Sequence, residues 1–262
     1  MEKREKIEKI AENEEDKMLL AKVYDKITAG QRRNIPANTC FLSLREQAMA
    51  TRLLGEGEEL LYFGGYEEAE RKILCYLPSY LEAESLYEAD SPVVCLKAEF
   101  YEKDTASHRD FLGALMGAGI ARETVGDICV GQGNAYLFLT AEIAPYVQQN
   151  LLSAGRAKLR LTRIPLREAK IAPPETREQK DTLASLRLDS VVSSGFRMSR
   201  GAAAQAISAG KAAVDGLPCE KPDKPVSQGA VISLRGMGKI RLKTVGGETK
   251  KGRIAVVIEK FI

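Results

Sequence analysis

Apolar positions recur with a helical period at the start of the chain. Leu20, Val23, Tyr24 and Ile27 fall at i, i+3, i+4 and i+7, one face of a helix. A second helix is expected over Leu44–Leu54, stopped by Gly55. Phe63-Gly64-Gly65-Tyr66 marks a turn, and helix is expected again through Ala69 and Ile73 until Pro78 bends or ends it. Residues 1–88 therefore read as a mainly helical domain. Beyond about residue 91 the period changes. Residues 93–100 are strand-like. Phe111, Leu112, Leu115 and Met116 suit a buried helix face. Residues 128–130 and 135–140 read as strands around Gly131-Gln132-Gly133-Asn134. A helix over 141–152 and a last strand over 157–166 complete the order βαββαβ. That order predicts a ferredoxin-like, RNA-recognition-type domain over 89–168, a fold that fixes no function by itself. The charged stretch 169–182 contains Pro173-Pro174 and reads as a linker, semi-rigid at the prolines. Residues 183–262 follow as a third part, and the fold class expected for the whole is α+β.

Composition narrows the chemistry. Of 262 residues, 44% are apolar and 29% charged, a soluble globular balance. No apolar run approaches the ~20 residues that span a bilayer. The N-terminus mixes both signs of charge, so a cytosolic protein is expected. The five cysteines are scattered and never paired as C-x-x-C, which predicts buried reduced thiols rather than disulfides or a zinc site. With a single histidine, His108, a Ser-His-Asp or Cys-His device starts weak, and neither cofactor nor metal is expected. The net charge of +3 conceals an asymmetry. Residues 183–262 hold 14 Lys and Arg against 6 Asp and Glu, while residues 1–182 hold 25 against 30. A basic segment on an acidic body suggests a polyanion-binding module.

Within that basic segment, Leu188, Val191 and Val192 give one apolar helix face. Ser199 stands where an N-cap would start a second helix, with Arg200 in its first turn and Gly210 at its end. Asp215-Gly216 is a two-residue hairpin signal. This layout predicts that Arg187, Arg197, Arg200 and Lys211 gather on one side, where guanidinium groups suit forked phosphate contacts and stacking on bases. Asp189 is expected to orient a nearby arginine rather than to act as an acid. That reading fails if the cations are spread over opposite faces, or consumed by carboxylates of the same molecule. Arg235-Gly236-Met237-Gly238-Lys239 is either a phosphate-cradling turn or a plain hairpin. From Arg187 through Lys221-Pro222 to Gly229 the segment resembles the S-four-type RNA-binding domain, named after a ribosomal protein. The resemblance implies RNA contacts at Arg187, Asp189, Arg197, Ser199, Arg200, Lys211 and Lys221, and Arg235 and Lys239 join the RNA-binding candidates only if the glycine-rich turn between them approaches phosphate. The strand from 254 to 258 is expected to close its sheet.

The body resembles a family as well. Phe63-Gly64-Gly65-Tyr66-Glu67-Glu68-Ala69-Glu70-Arg71, the run from His108 to Ile120, and Gly126-Asp127-Ile128 look like hallmarks of the bacterial YlmH family. His108 or Asp110 is expected to cap the helix that Phe111 and Leu115 bury, leaving Arg109 for a partner. Tyr136 and Phe138 share one strand face, where they either stack bases or face a core. Arg156, Lys158, Arg160 and Arg163 alternate along the next expected strand, which would direct most of them to one phosphate-binding face or make a charged edge.

Resemblance to YlmH implies a non-enzymatic, monomeric RNA-binding factor. Its implied partners are ribosomal RNA and tRNA on the large ribosomal subunit, in rescue and quality control of stalled ribosomes that retain peptidyl-tRNA. Two rival readings are an RNA-modifying enzyme of the pseudouridine synthase kind, whose catalytic aspartate motif is not found, and a cell-division protein.

Overall fold

The computed structural model describes residues 3–173, 175–249 and 252–261. Contacts divide the chain into two units, 1–172 and 173–262. Unit 1 opens with α1 (Lys3–Ile10), α2 (Glu14–Arg33), the short strand β1 (Ala37–Asn38) and α3 (Leu44–Leu54). The expected face of α2 is buried at Leu20, Val23 and Ile27. Ser43 and Glu46 close a capping box on α3, worth about 1 kcal/mol. Arg45 on α3 reaches back to the buried Asp16 on α2 at 2.6 Å. Its hydrogen bond, outweighing the cost of burial, holds the Asp16 carboxyl below its ordinary range.

The stretch after Gly65 is not the helix that its pattern predicts. β2 (Leu60–Phe63) and β3 (Ile73–Tyr76) join β1 in an antiparallel sheet of order β1-β3-β2. Between them the chain wraps around Asp127. That carboxylate accepts from the Tyr66 hydroxyl at 2.8 Å and from the Glu70 and Arg71 amides at 2.7 and 3.1 Å. Amides held this way by a distant side chain are unavailable to a helix ladder, so a tertiary partner overrides local periodicity.

The next elements follow the expected order: β4 (Val93–Glu99), α4 (His108–Gly117), β5 (Val125–Val130), β6 (Asn134–Thr140) and α5 (Ala144–Asn150). A hairpin of β7 (Ser153–Ala154) and β8 (Ala157–Lys158) then intervenes, and β9 (Arg160–Ile164) completes the set. The sheet order β5-β6-β4-β9, antiparallel throughout, is the ferredoxin-like one. The last strand is thus shorter than expected, because its first residues turn back as the hairpin. Ser107, not His108, is the N-cap of α4, and the Asp110 carboxylate completes the capping box by accepting from the Ser107 amide at 2.8 Å. His108 and Arg109 are exposed.

Both faces of this sheet are covered. Leu96, Leu137 and Leu139 pack with Phe111, Leu115 and Val147 of the two helices. On the opposite face Val93, Cys95, Tyr136 and Phe138 pack with Phe41, Phe63, Ile73, Cys75, Leu77 and Leu166. The first 88 residues and the sheet therefore share a core instead of forming a separate helical domain. Two glycines permit that approach. A Cβ at Gly65, where φ is +93°, would stand 2.6 Å from the Phe138 ring, and one at Gly126 would stand 2.6 Å from Phe41. The two glycines lie in two of the three hallmark segments, 63–71 and 126–128, and there let the cover close onto the sheet. All five cysteines are free. Burial pushes the Cys75 and Cys95 thiols up to about 12, whereas Cys40 is exposed and Cys129 only half-buried, contrary to the buried setting expected for all five.

Unit 2 contains β10 (Thr176–Leu183), α6 (Leu188–Gly195), α7 (Arg200–Ser208), β11 (Ala212–Val214), β12 (Leu217–Pro218), β13 (Val231–Leu234), β14 (Gly238–Glu248) and β15 (Ile254–Phe261). Its antiparallel sheet runs β10-β15-β14-β13-β11-β12. The second half of the expected linker is therefore an edge strand, paired with β15 from Thr176↔Phe261 to Leu183↔Ile254. Its exposed Arg177, Glu178, Lys180 and Asp181 are what an edge carries to discourage further pairing, and they make it resemble a linker. β15 lies inside the sheet rather than closing it. Pro174 of the expected semi-rigid pair lies outside the described residues. The helices bury Leu188, Val191, Val192, Ala203 and Ile207 against Ile232, Ile240, Leu242 and Ile258. Asp215-Gly216 forms the expected two-residue turn, with φ of +50° and +79°. No helix among the described residues is long and apolar enough to cross a membrane.

Candidate nucleic-acid interface

The link between α6 and α7 is a Schellman motif. The Arg197 amide donates to the Ser194 carbonyl at 3.1 Å, and the Met198 amide donates to the Ser193 carbonyl at 3.0 Å. Arg197 occupies the left-handed position of that motif with φ of +53°, where glycine is usual and another residue costs roughly 1 kcal/mol. Its Nε donates to Gln179 Oε1 at 3.2 Å. Gln179 Nε2 in turn donates to the Ser194 carbonyl at 3.0 Å, and the Ser194 hydroxyl donates to Asp181 at 2.5 Å. Strand β10 thus braces the turn. Gln179 escapes a reading in which 176–182 is linker, although period-two alternation places it with Asp181 on one strand face. Ser199 then caps α7, accepting from the Ala202 amide at 3.1 Å.

Asp189, 5% exposed, gathers two of the expected cations. Arg200 Nε donates to its Oδ2 at 2.9 Å and Nη2 to its Oδ1 at 3.2 Å. Arg187 Nε donates to Oδ1 at 3.4 Å. Burial pushes this carboxyl up, but the Arg200 hydrogen bond and the charges of Arg200 and Arg187 outweigh it and hold the group below its ordinary range. Asp189 therefore stays ionised and orients both arginines. One carboxylate does not neutralise two guanidinium groups, so the trio keeps a net charge of about +1 at neutral pH. The arginine side chains remain 44% and 51% exposed. Neither Nη of Arg187 nor Nη1 of Arg200 has a partner among the described residues. These free N–H groups are the fork that phosphate contacts require.

Among the described residues, no side-chain hydrogen bond or ion pair ties Arg197, Lys211, Lys221 or Arg235 to this cluster. Arg197 belongs to the far end of α6. Lys211 and Arg235 are neighbours, because the Arg235 amide donates to the Lys211 carbonyl at 2.9 Å, and both are exposed. That bond and the one from the Met237 amide to Leu234 at 2.9 Å occupy two amides of the Gly236 turn, which is a hairpin rather than a phosphate cradle. Lys221 is exposed on the loop that carries Pro222, whose carbonyl accepts from the Asp189 amide at 2.9 Å. Lys239 lies on β14 with its Nζ 5.7 Å from the Phe261 ring. In unit 1, Arg156 sits in the β7–β8 turn, Lys158 on β8 and Arg160 on β9, so the expected single alternating strand is broken. Tyr136 and Phe138 are 8% and 0% exposed. They are core, and base stacking on them is excluded in this fold. No group of three or more His, Cys, Asp or Glu that could hold a metal occurs among the described residues.

Two family models match. One is described as "Putative RNA-binding domain in YlmH" and covers residues 93–168, and the other is the S4 domain, covering residues 186–232. With the geometry of the helix pair, they define an RNA-binding protein that carries an S4 domain. The Ribosome-associated protein quality control protein P2 of Bacillus subtilis (strain 168) is 34% identical over 224 residues, 85% of this chain and 86% of that protein. The chain belongs to the YlmH family. The solved Cell division protein ylmH from Streptococcus pneumoniae matches with a TM-score of 0.50 at 21% identity, over 62% of this chain and 98% of that one, a likeness of fold.

Proposed function

We propose that the protein is a non-enzymatic, cytoplasmic factor. Acting as a monomer, it binds ribosomal RNA and tRNA on the large ribosomal subunit in the rescue of stalled ribosomes that carry peptidyl-tRNA. The observation that carries this reading is the pair Arg187 and Arg200, set by one buried carboxylate beside the helix pair with N–H groups to spare. The S4 match and the name of the Bacillus relative support it. Mechanistically, guanidinium forks take phosphates of folded RNA, and binding energy rather than bond chemistry holds one tRNA position. Arg197, Lys211, Lys221 and Arg235 supply further contacts along the same module.

The test is sedimentation of the full chain with purified large subunits. Replacing Arg187→Gln, Asp189→Asn and Arg200→Gln together, so that no buried carboxylate is left without its counter-charge, is expected to weaken binding at least tenfold while the chain stays folded. Full co-sedimentation of a folded variant overturns the reading. Affinity for RNA should also fall steeply with salt, by roughly 0.7–0.9 log units per log unit of salt for each neutralised phosphate.

A further inference from the structure

The region 156–170 carries a charge pattern that the helix pair does not use. It holds Arg156, Lys158, Arg160, Arg163, Arg167 and Lys170 against a single acid, Glu168. Residues 1–155 hold 17 Lys and Arg against 26 Asp and Glu. An otherwise acidic unit thus concentrates positive charge on one hairpin, one edge strand and the turn after it. All six cations are exposed.

The fold makes this a rim rather than a face. The β7–β8 hairpin turns at Gly155, where φ is +56° and a Cβ would stand 3.0 Å from Asp110 Oδ1. That close fit seats the hairpin tip, with Arg156, against the first turn of α4, where Arg109 is also exposed. Among the described residues β9 pairs only with β4, Arg160 opposite Glu99 and Arg163 opposite Leu96. Arg160 and Arg163 are three positions apart, so they leave opposite sides of the pleat. Arg163 also donates to the Ala89 carbonyl at 3.3 Å, and Arg167 lies 4.8 Å over the Tyr87 ring.

Accepting the RNA-binding reading above, we propose that this rim is a second binding site, for the backbone of double-stranded RNA. A single strand is bound through a groove with aromatic platforms, and the aromatics of this sheet, Tyr136 and Phe138, are buried. A protein partner would want an apolar centre, yet residues 156–170 expose no large apolar side chain and the adjoining Leu152 is a single exposed one among six cations. An edge with cations on both sides of its pleat fits between two phosphate walls. Duplex RNA is recognised in just that way, by shape and backbone rather than by base edges.

The test uses the full chain, an RNA duplex of about 16 base pairs, an unstructured strand of the same length, and polyglutamate as a competitor. The variant replaces Arg156→Gln, Lys158→Gln, Arg160→Gln and Arg163→Gln. Duplex affinity is expected to fall at least tenfold, and the log-log salt slope to flatten by about 2 or more, with the strand affected less and polyglutamate competing poorly. The hairpin pair alone, Arg156→Gln with Lys158→Gln, lies outside the four-stranded sheet and should move the slope about half as far, so the site stays testable if the fourfold variant fails to fold. An unchanged slope with duplex binding still sensitive to Arg187 and Arg200 overturns the rim and leaves the S4 reading standing. Equal losses on duplex and single strand, or ready displacement by polyglutamate, also overturn it. A wild-type chain that binds no RNA overturns both.

Discussion

The central sheet and the C-terminal helix pair offer the same kind of lure, side chains suited to nucleic acid on an element that a known fold exposes. Their outcomes are opposite. Tyr136 and Phe138 point into a core built with the first 88 residues. Arg187 and Arg200 are held at the surface by a carboxylate that is itself buried. The difference follows from desolvation. An aromatic ring gains free energy wherever it leaves water, so its presence on a strand says little about which partner covers it. A guanidinium is costly to bury, so it stays where a polyanion can reach it. In this chain charge therefore marks side chains that stay at the surface, and aromatic content does not.

Phe138→Ala breaks that comparison most forcefully. The ring is fully buried beside Gly65, and its centroid lies 4.9 Å from that of Tyr66. Truncation should destabilise unit 1 by about 3–5 kcal/mol, read by denaturant unfolding. Phe138→Leu keeps most of the volume and should leave RNA affinity within a factor of about two while the chain is folded. A loss of affinity in a folded Phe138→Leu chain would return the ring to the interface.

The two regions also differ in how far their sequences can be read. The βαββαβ order and the two helices with their Ser199 cap and Asp215-Gly216 turn are legible, because each rests on a local signal: period, cap or turn. The cover on the sheet is not, because it depends on pairings such as Tyr66 with Asp127 that no local pattern encodes. The same reason hides β3 within an expected helix, and β10 within an expected linker. In the candidate site the charged residues are legible individually. Their grouping is not: Arg197 is braced by Gln179 from a strand that sequence alone leaves unassigned.

Asp189→Asn sharpens the contrast on the side of the helix pair. The amide keeps the shape and removes the charge that orients both arginines. Because those arginines are about half exposed and can be rehydrated, the expected cost is about 1–2 kcal/mol, below that of an unpaired buried charge. The pH dependence has a definite sign. The folded carboxyl lies below its ordinary range, so its stabilisation is complete above the unfolded value of about 3.9 and is lost as pH falls through the lower folded value. The gap between wild type and variant should be constant near neutrality and shrink below about pH 4. RNA affinity should drop despite the gain of one positive charge, because the forks lose their fixed direction. An affinity that rises would show that net charge, not orientation, governs the site.

The smallest effect is the most discriminating. Arg197 holds a left-handed position that glycine fills without strain, so Arg197→Gly relieves the backbone and loses only the hydrogen bond to Gln179. Stability should be unchanged or rise by up to about 1 kcal/mol. If Arg197 is present for RNA, affinity should fall several-fold in the same variant, with a slightly shallower salt slope. A packing residue cannot give that pair of signs, since removing it lowers stability and affinity together. Were Arg197→Gly more stable and equally tight, the strained arginine would have no part in binding, and the interface would contract to Arg187, Arg200 and their neighbours on the Asp189 side.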